Sequence, residues 1–215
     1  MDRKEIKELA KTKIKGNKWN IIWPMLVIGA LESVFTNLFG GSNKYIFSDF
    51  DTMTNVRFYV DYASILVSII VGIISAGYLK YILNFVRNGK FDANEIIETI
   101  KKKWLNLLIA EILVTVIVSL CTLLFVVPGI IMGLAYAFVA YLVVDTDISG
   151  NDALKKGREM MKGYKWNYFV FGLSFIGWCL LIPLTLGIIL IWLYPYMVVA
   201  NAIYYDKLSK ISDVK

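Results

Sequence analysis

Four residues in this sequence could do chemistry in surroundings that do not favour it: Glu32, Lys80, Glu111 and Asn201, each set inside a long apolar run. A charge within hydrocarbon costs on the order of 3 kcal/mol on insertion scales, so each needs a partner, a water-filled cavity or a route to the surface. Lys80 lies seven residues before Arg87 and Glu111 seven after Trp104. On helices, each is then roughly 10 Å inside its boundary. Matching depth predicts that they meet, as an ion pair or in a shared polar cavity. Glu32, thirteen residues beyond Trp19, sits about 20 Å up its helix, where Asp61 is a neighbour in height. Two carboxylates there would share a proton or hold a cation. Asn201, close to Tyr204 and Tyr205, reads as interhelical glue, because a buried amide needs hydrogen-bond partners.

Other chemistries are poorly served. There is no histidine, which removes serine–histidine and cysteine–histidine catalysis and the commonest metal ligand together. Asp49 and Asp51 flank Phe50 as a pair of carboxylates, but no glycine-centred loop with a distal bidentate glutamate completes a calcium site. Cys121 and Cys179 fall inside apolar runs, where they act as small hydrophobes rather than as a disulfide framework. The residues point to no catalysis, no metal and no cofactor.

The elements that must position these side chains are membrane helices. A 215-residue chain that is 58% hydrophobic and 19% charged, with mean hydropathy +0.61, has too much apolar surface for one soluble core. A spanning helix needs about 20 mainly apolar residues. Six runs qualify, at about 19–39, 60–86, 105–127, 130–144, 167–182 and 187–205. The last two are short, and a re-entrant hairpin is their alternative. Pro128-Gly129 is expected to turn the third span into the fourth, and Pro195 to kink the sixth. A charged amphipathic segment precedes the first, third and fifth spans and ends in a recurring motif. Lys15-Gly16-Asn17-Lys18-Trp19-Asn20 returns as Lys162-Gly163-Tyr164-Lys165-Trp166-Asn167 and, more weakly, at Lys103-Trp104-Leu105-Asn106. The expected fold is all-α: one polytopic membrane bundle over residues 1–215, six transmembrane helices built as three repeats of amphipathic interfacial helix plus hairpin. The units run about 1–86, 87–144 and 145–208.

Twenty of the 23 Lys and Arg fall in the N-terminal segment, 87–103, 155–165 and the tail, against two in the outer loop at 40–59. Basic residues favour the cytoplasmic face, so both termini and the three amphipathic segments are expected inside a bacterial plasma membrane. The charged first eighteen residues do not read as a signal peptide. Trp19, Trp104 and Trp166, each after a lysine (Lys18, Lys103, Lys165), suit interfacial anchoring, with the ring at the boundary and the ammonium among headgroups. The expected partners are anionic lipid headgroups on the cytosolic side and a membrane protein. Nucleic acid is not expected, because these lysines lie on membrane-bound helices without a recognition motif.

The stretch Met160-Met161-Lys162-Gly163-Tyr164-Lys165-Trp166, with Leu173 to Trp178, Trp192-Leu193-Tyr194-Pro195-Tyr196 and Ala202-Ile203-Tyr204-Tyr205, resembles the bacterial six-span membrane proteins grouped as domain of unknown function 975. Val127-Pro128-Gly129-Ile130-Ile131 and Lys15-Gly16-Asn17 with Trp19 match as well, so the resemblance covers nearly the whole chain. That family is distantly similar to the membrane domains of glycerophosphoryl diester phosphodiesterases, which implies an envelope or lipid-related setting and no catalytic residue. Met132 stands where the family pattern leads one to expect lysine, and Gly157 where serine is usual. The resulting reading is a membrane accessory or scaffold protein that engages lipid or another membrane protein. Its rival is a pathway for a lipid, peptide or small solute through Glu32, Lys80 and Glu111.

Overall fold

A computed structural model describes residues 2–39, 62–179, 181–185 and 189–212. The outer loop with Asp49 and Asp51, Asp61, and the turn around Gly187 lie outside the described residues. The described chain is helical: α1 (Arg3–Ile14), α2 (Lys18–Phe39), α3 (Tyr62–Asn88), α4 (Asn94–Leu124), α5 (Val126–Tyr136), α6 (Val139–Asp145), α7 (Gly150–Met160), α8 (Lys165–Cys179), α9 (Leu181–Leu184) and α10 (Leu190–Ile211). Among the described residues five stretches are long and apolar enough to cross a membrane: Lys18–Leu38, Val67–Asn88, Asn94–Leu124, Val126–Asp145 and Lys165–Leu184. The sixth expected span overlaps α10, which is 22 residues long, runs through Pro195 and is not one of these five.

The three copies of the motif fold in two ways. α1 starts on Asp2, whose carboxylate accepts the Lys4 N–H at 2.9 Å, and its break before α2 holds Gly16 at φ +89°. α7 starts on Ser149, which accepts the Asp152 N–H at 3.2 Å, and its break before α8 holds Gly163 at φ +84°. A positive φ strains any residue with a Cβ, so glycine is the residue that lets the chain leave one helix and enter the next. In the middle copy that position is Lys101. No break forms, and α4 continues for 31 residues, about 46 Å, through Lys103 and Trp104. The second amphipathic segment is therefore not a separate helix but the first turns of a long one, upright beside α3. Close packing explains its direction: a Cβ on Gly77 would lie 3.0 Å from Ile96 and 3.1 Å from both Ile100 and the Ile96 carbonyl oxygen. Ala93 precedes the first turn of α4, and Asp92 stands just ahead of it. Asp92 accepts the Asn94 N–H, and Glu95 accepts from Asn84.

The Pro128-Gly129 turn is also displaced. The reversal occurs at Phe125, one extended residue (φ −156°, ψ 141°), and Pro128 lies within the first turn of α5, where its missing N–H costs nothing. Gly129 serves packing: a Cβ there would sit 2.1 Å from Thr122 Oγ1, so only glycine lets α5 fold back this tightly on α4. The helix breaks again at Ala137-Phe138, and the Phe138 ring is completely buried among Tyr141, Tyr168, Tyr204 and Tyr205. Aromatic pairs of this kind add about 0.5–1.5 kcal/mol each beyond their burial. They join α6, α8 and α10 into the centre of the core. α1 packs antiparallel along α10, burying Ile6, Ala10 and Ile14, with Glu5 against Lys207 at 2.6 Å and Lys18 over the Trp192 ring at 4.1 Å.

Candidate functional site

The polar centre of the fold lies where α3, α6 and α10 end side by side. Arg87 donates from Nε to Asp206 Oδ1 at 2.6 Å, from Nη1 to Asp145 Oδ1 at 2.5 Å and from Nη2 to Asp145 Oδ2 at 2.9 Å. The Tyr205 hydroxyl donates to Asp145 Oδ2 at 3.1 Å, Lys80 approaches the same carboxylate at 3.6 Å, and Lys210 donates to Asp206 at 2.6 Å. The aspartate side chains are only 8% and 11% exposed, so pairing with charged donors is what makes their burial tolerable. Burial pushes the Asp206 carboxyl up, but the hydrogen bonds from Lys210 and Arg87 outweigh it and hold the group below its usual range.

Lys80 therefore points to Asp145 and not to Glu111. The depth argument misses because it sets two boundaries level that are not: with the first turns of α4 upright beside α3, Trp104 is no match in height for Arg87. Glu111 packs against Gly72, where a Cβ would lie 2.7 Å from Oε1. It lines a cavity of about 110 Å³ with Thr115, Tyr136 and Ala140, half-buried and without a hydrogen-bond or ion-pair partner among the described residues. Glu32 is exposed on α2, and Asp61, its expected companion, lies outside the described residues. Asn201 does join helices: the Tyr168 hydroxyl donates to its Oδ1 at 3.2 Å, and the Tyr204 hydroxyl donates to Asn167 Oδ1 at 3.2 Å. Both bonds cross between α8 and α10. The four residues occupy separate seams and form no single site.

The tryptophans Trp19, Trp104 and Trp166 are 75%, 51% and 73% exposed, and their lysines differ. Lys18 rests over Trp192, whereas Lys103 donates to the Val144 and Thr146 carbonyls at 3.3 and 2.8 Å and pairs with Asp147 at 3.0 Å. Lys103 thus satisfies the end of α6 rather than a headgroup. Lys165 is half-buried at the start of α8.

Arg87, Asp145 and Asp206 escape the sequence reading because each looks like the first polar residue after an apolar run. A usable signal was present: they follow the second, fourth and sixth expected spans, which leave the membrane on one side, and their charges are complementary. No curated protein and no solved structure matches this chain. Similarity to a family does exist, over residues 1–132 and 121–212, and by it the chain belongs to the protein family of unknown function DUF975.

Proposed function

We propose that this is a six-span protein of a bacterial plasma membrane, built from three related units with both termini cytoplasmic, that works as a non-catalytic accessory or scaffold engaging lipid or another membrane protein. The observation that carries this reading is the Arg87–Asp145–Asp206 cluster, in which strong charges are spent on one another across three helix ends. Such a cluster fixes helix positions and presents a defined outer surface to a neighbour. On α1, Lys4, Lys11 and Lys15 are exposed while Ile6, Ala10 and Ile14 are buried, a basic surface that suits anionic headgroups. The same reading takes in a distant resemblance to the membrane domains of glycerophosphoryl diester phosphodiesterases and with it a lipid-related setting. Mild detergent extraction of the full chain tests the reading: a stoichiometric membrane-protein partner or a retained lipid is expected, and a preparation carrying neither overturns it.

One observation favours a second reading, a solute pathway: Glu111 is a carboxylate with no hydrogen-bond or ion-pair partner among the described residues, beside a small cavity. A pathway predicts that Glu111→Gln folds normally and abolishes a measurable flux in sealed vesicles, whereas the accessory reading predicts no flux in either protein.

A further inference from the structure

A groove of about 520 Å³ lies between α1 and the α8–α10 pair. Trp178, Trp192 and Leu193 line it together with three lysines, Lys11, Lys15 and Lys18. No carboxylate lines it, and none of the three lysines has an ion-pair partner among the described residues. Lys11 and Lys15 are one helical turn apart on α1 and share a face. Lys18 follows beyond Gly16, its ammonium held over the Trp192 ring at 4.1 Å, which brings the third charge back to the same groove. Both tryptophans are at least half exposed, so this wall faces whatever surrounds the helices.

An apolar wall topped by three unopposed ammonium groups is complementary to a molecule with a hydrocarbon chain and an anionic head. We propose that this groove is a binding site for one anionic phospholipid, its acyl chain against Trp178, Trp192 and Leu193 and its phosphate among Lys11, Lys15 and Lys18. The site rests on the lipid-engaging reading and makes it specific, because it distinguishes anionic from zwitterionic headgroups. A free phosphate would leave the wall bare, and a neutral lipid would leave the lysines unanswered.

The test is native mass spectrometry of the full chain in detergent, titrated separately with phosphatidylglycerol, phosphatidylcholine and inorganic phosphate. One phosphatidylglycerol is expected to bind in preference to phosphatidylcholine, with phosphate alone not retained. Lys11→Gln/Lys15→Gln/Lys18→Gln should weaken phosphatidylglycerol on the order of a hundredfold, from the usual worth of a surface lysine at an anionic membrane. Lys155→Gln/Lys156→Gln/Arg158→Gln removes the same charge from exposed positions on α7 and should leave binding unchanged. Should the triple groove variant lose its helical circular dichroism, Lys11→Gln/Lys15→Gln, both exposed, carries the same comparison. Equal weakening by the α7 variant means diffuse attraction to the whole surface and overturns the site, as does phosphate binding as tightly as the lipid. Lipid that co-purifies but is held as selectively by the groove variant sinks the groove and leaves the accessory reading standing.

Discussion

Arg87 and Asp145 meet through two parallel hydrogen bonds, at 2.5 and 2.9 Å, while the third guanidinium donor reaches Asp206 at 2.6 Å. A planar fork with fixed donors can face both carboxylates at once, and an ammonium cannot. Arg87→Lys should therefore cost about 2 kcal/mol or more, the worth of a lost charged hydrogen bond, although it keeps the charge. Thermal unfolding in detergent reads the effect, and a melting temperature equal to wild type would show that the fork is not needed.

The same cluster sets a pH dependence. Asp206 is held below its ordinary value of 3.8 in the folded protein, so the unfolded chain binds the proton more readily. The stability it contributes is complete above about pH 4 and is lost as the pH falls further through the depressed folded value. Asp147 is held low by Lys103 too, but its carboxylate is 97% exposed and its share is small. Unfolding between pH 7 and pH 2 should show Asp206→Asn less stable than wild type near neutrality and the gap closing in acid. A constant gap would place the effect elsewhere.

Gly163 and Lys101 occupy equivalent places in two copies of one motif, yet one ends a helix and the other continues it. Gly163→Ala forces a Cβ onto φ +84° and should cost about 1–2 kcal/mol. Lys101→Gly should cost about 1 kcal/mol without opening a break, because the turns on either side stay packed on α3 and α6. Hydrogen exchange around residues 100–106 distinguishes the two, and rapid exchange there in Lys101→Gly would show that glycine alone creates the hinge.

The contrast shows how far local sequence reaches. Helix type and the apolar runs follow from composition and periodicity, and the Gly16 and Gly163 breaks carry a steric cause that can be read in the motif. Pro128 misleads because proline is as comfortable in the first turn of a helix as in a turn between helices. The Lys80–Glu111 expectation fails for a different reason, since relative height depends on how α4 stands against α3. That is decided by contacts far apart in the chain, Gly77 with Ile96 and Gly72 with Glu111.

Orientation can be tested at the C-terminus. Ser209 is completely buried, so a label belongs at Ile211, which is 55% exposed. In a background with Cys121 and Cys179 replaced, an impermeant maleimide added outside intact cells should modify Ser48→Cys and spare Ile211→Cys. The reverse pattern would invert the proposed topology.

Lys80 and Glu111 supply the last prediction. Lys80 sits 3.6 Å from Asp145, and Glu111 lies on another seam, against Gly72. Side chains that share a partner couple, and side chains without one add within about 0.3–0.5 kcal/mol. In a double-mutant cycle, Lys80→Met with Asp145→Asn should therefore be non-additive, because Asp145→Asn removes the charge that Lys80 answers. Lys80→Met with Glu111→Gln should be additive. Unfolding free energies of the five variants in one detergent decide the matter. Strong coupling between Lys80 and Glu111 would mean that the two do share a cavity in the membrane and that the α3–α4 packing described above is wrong at that height.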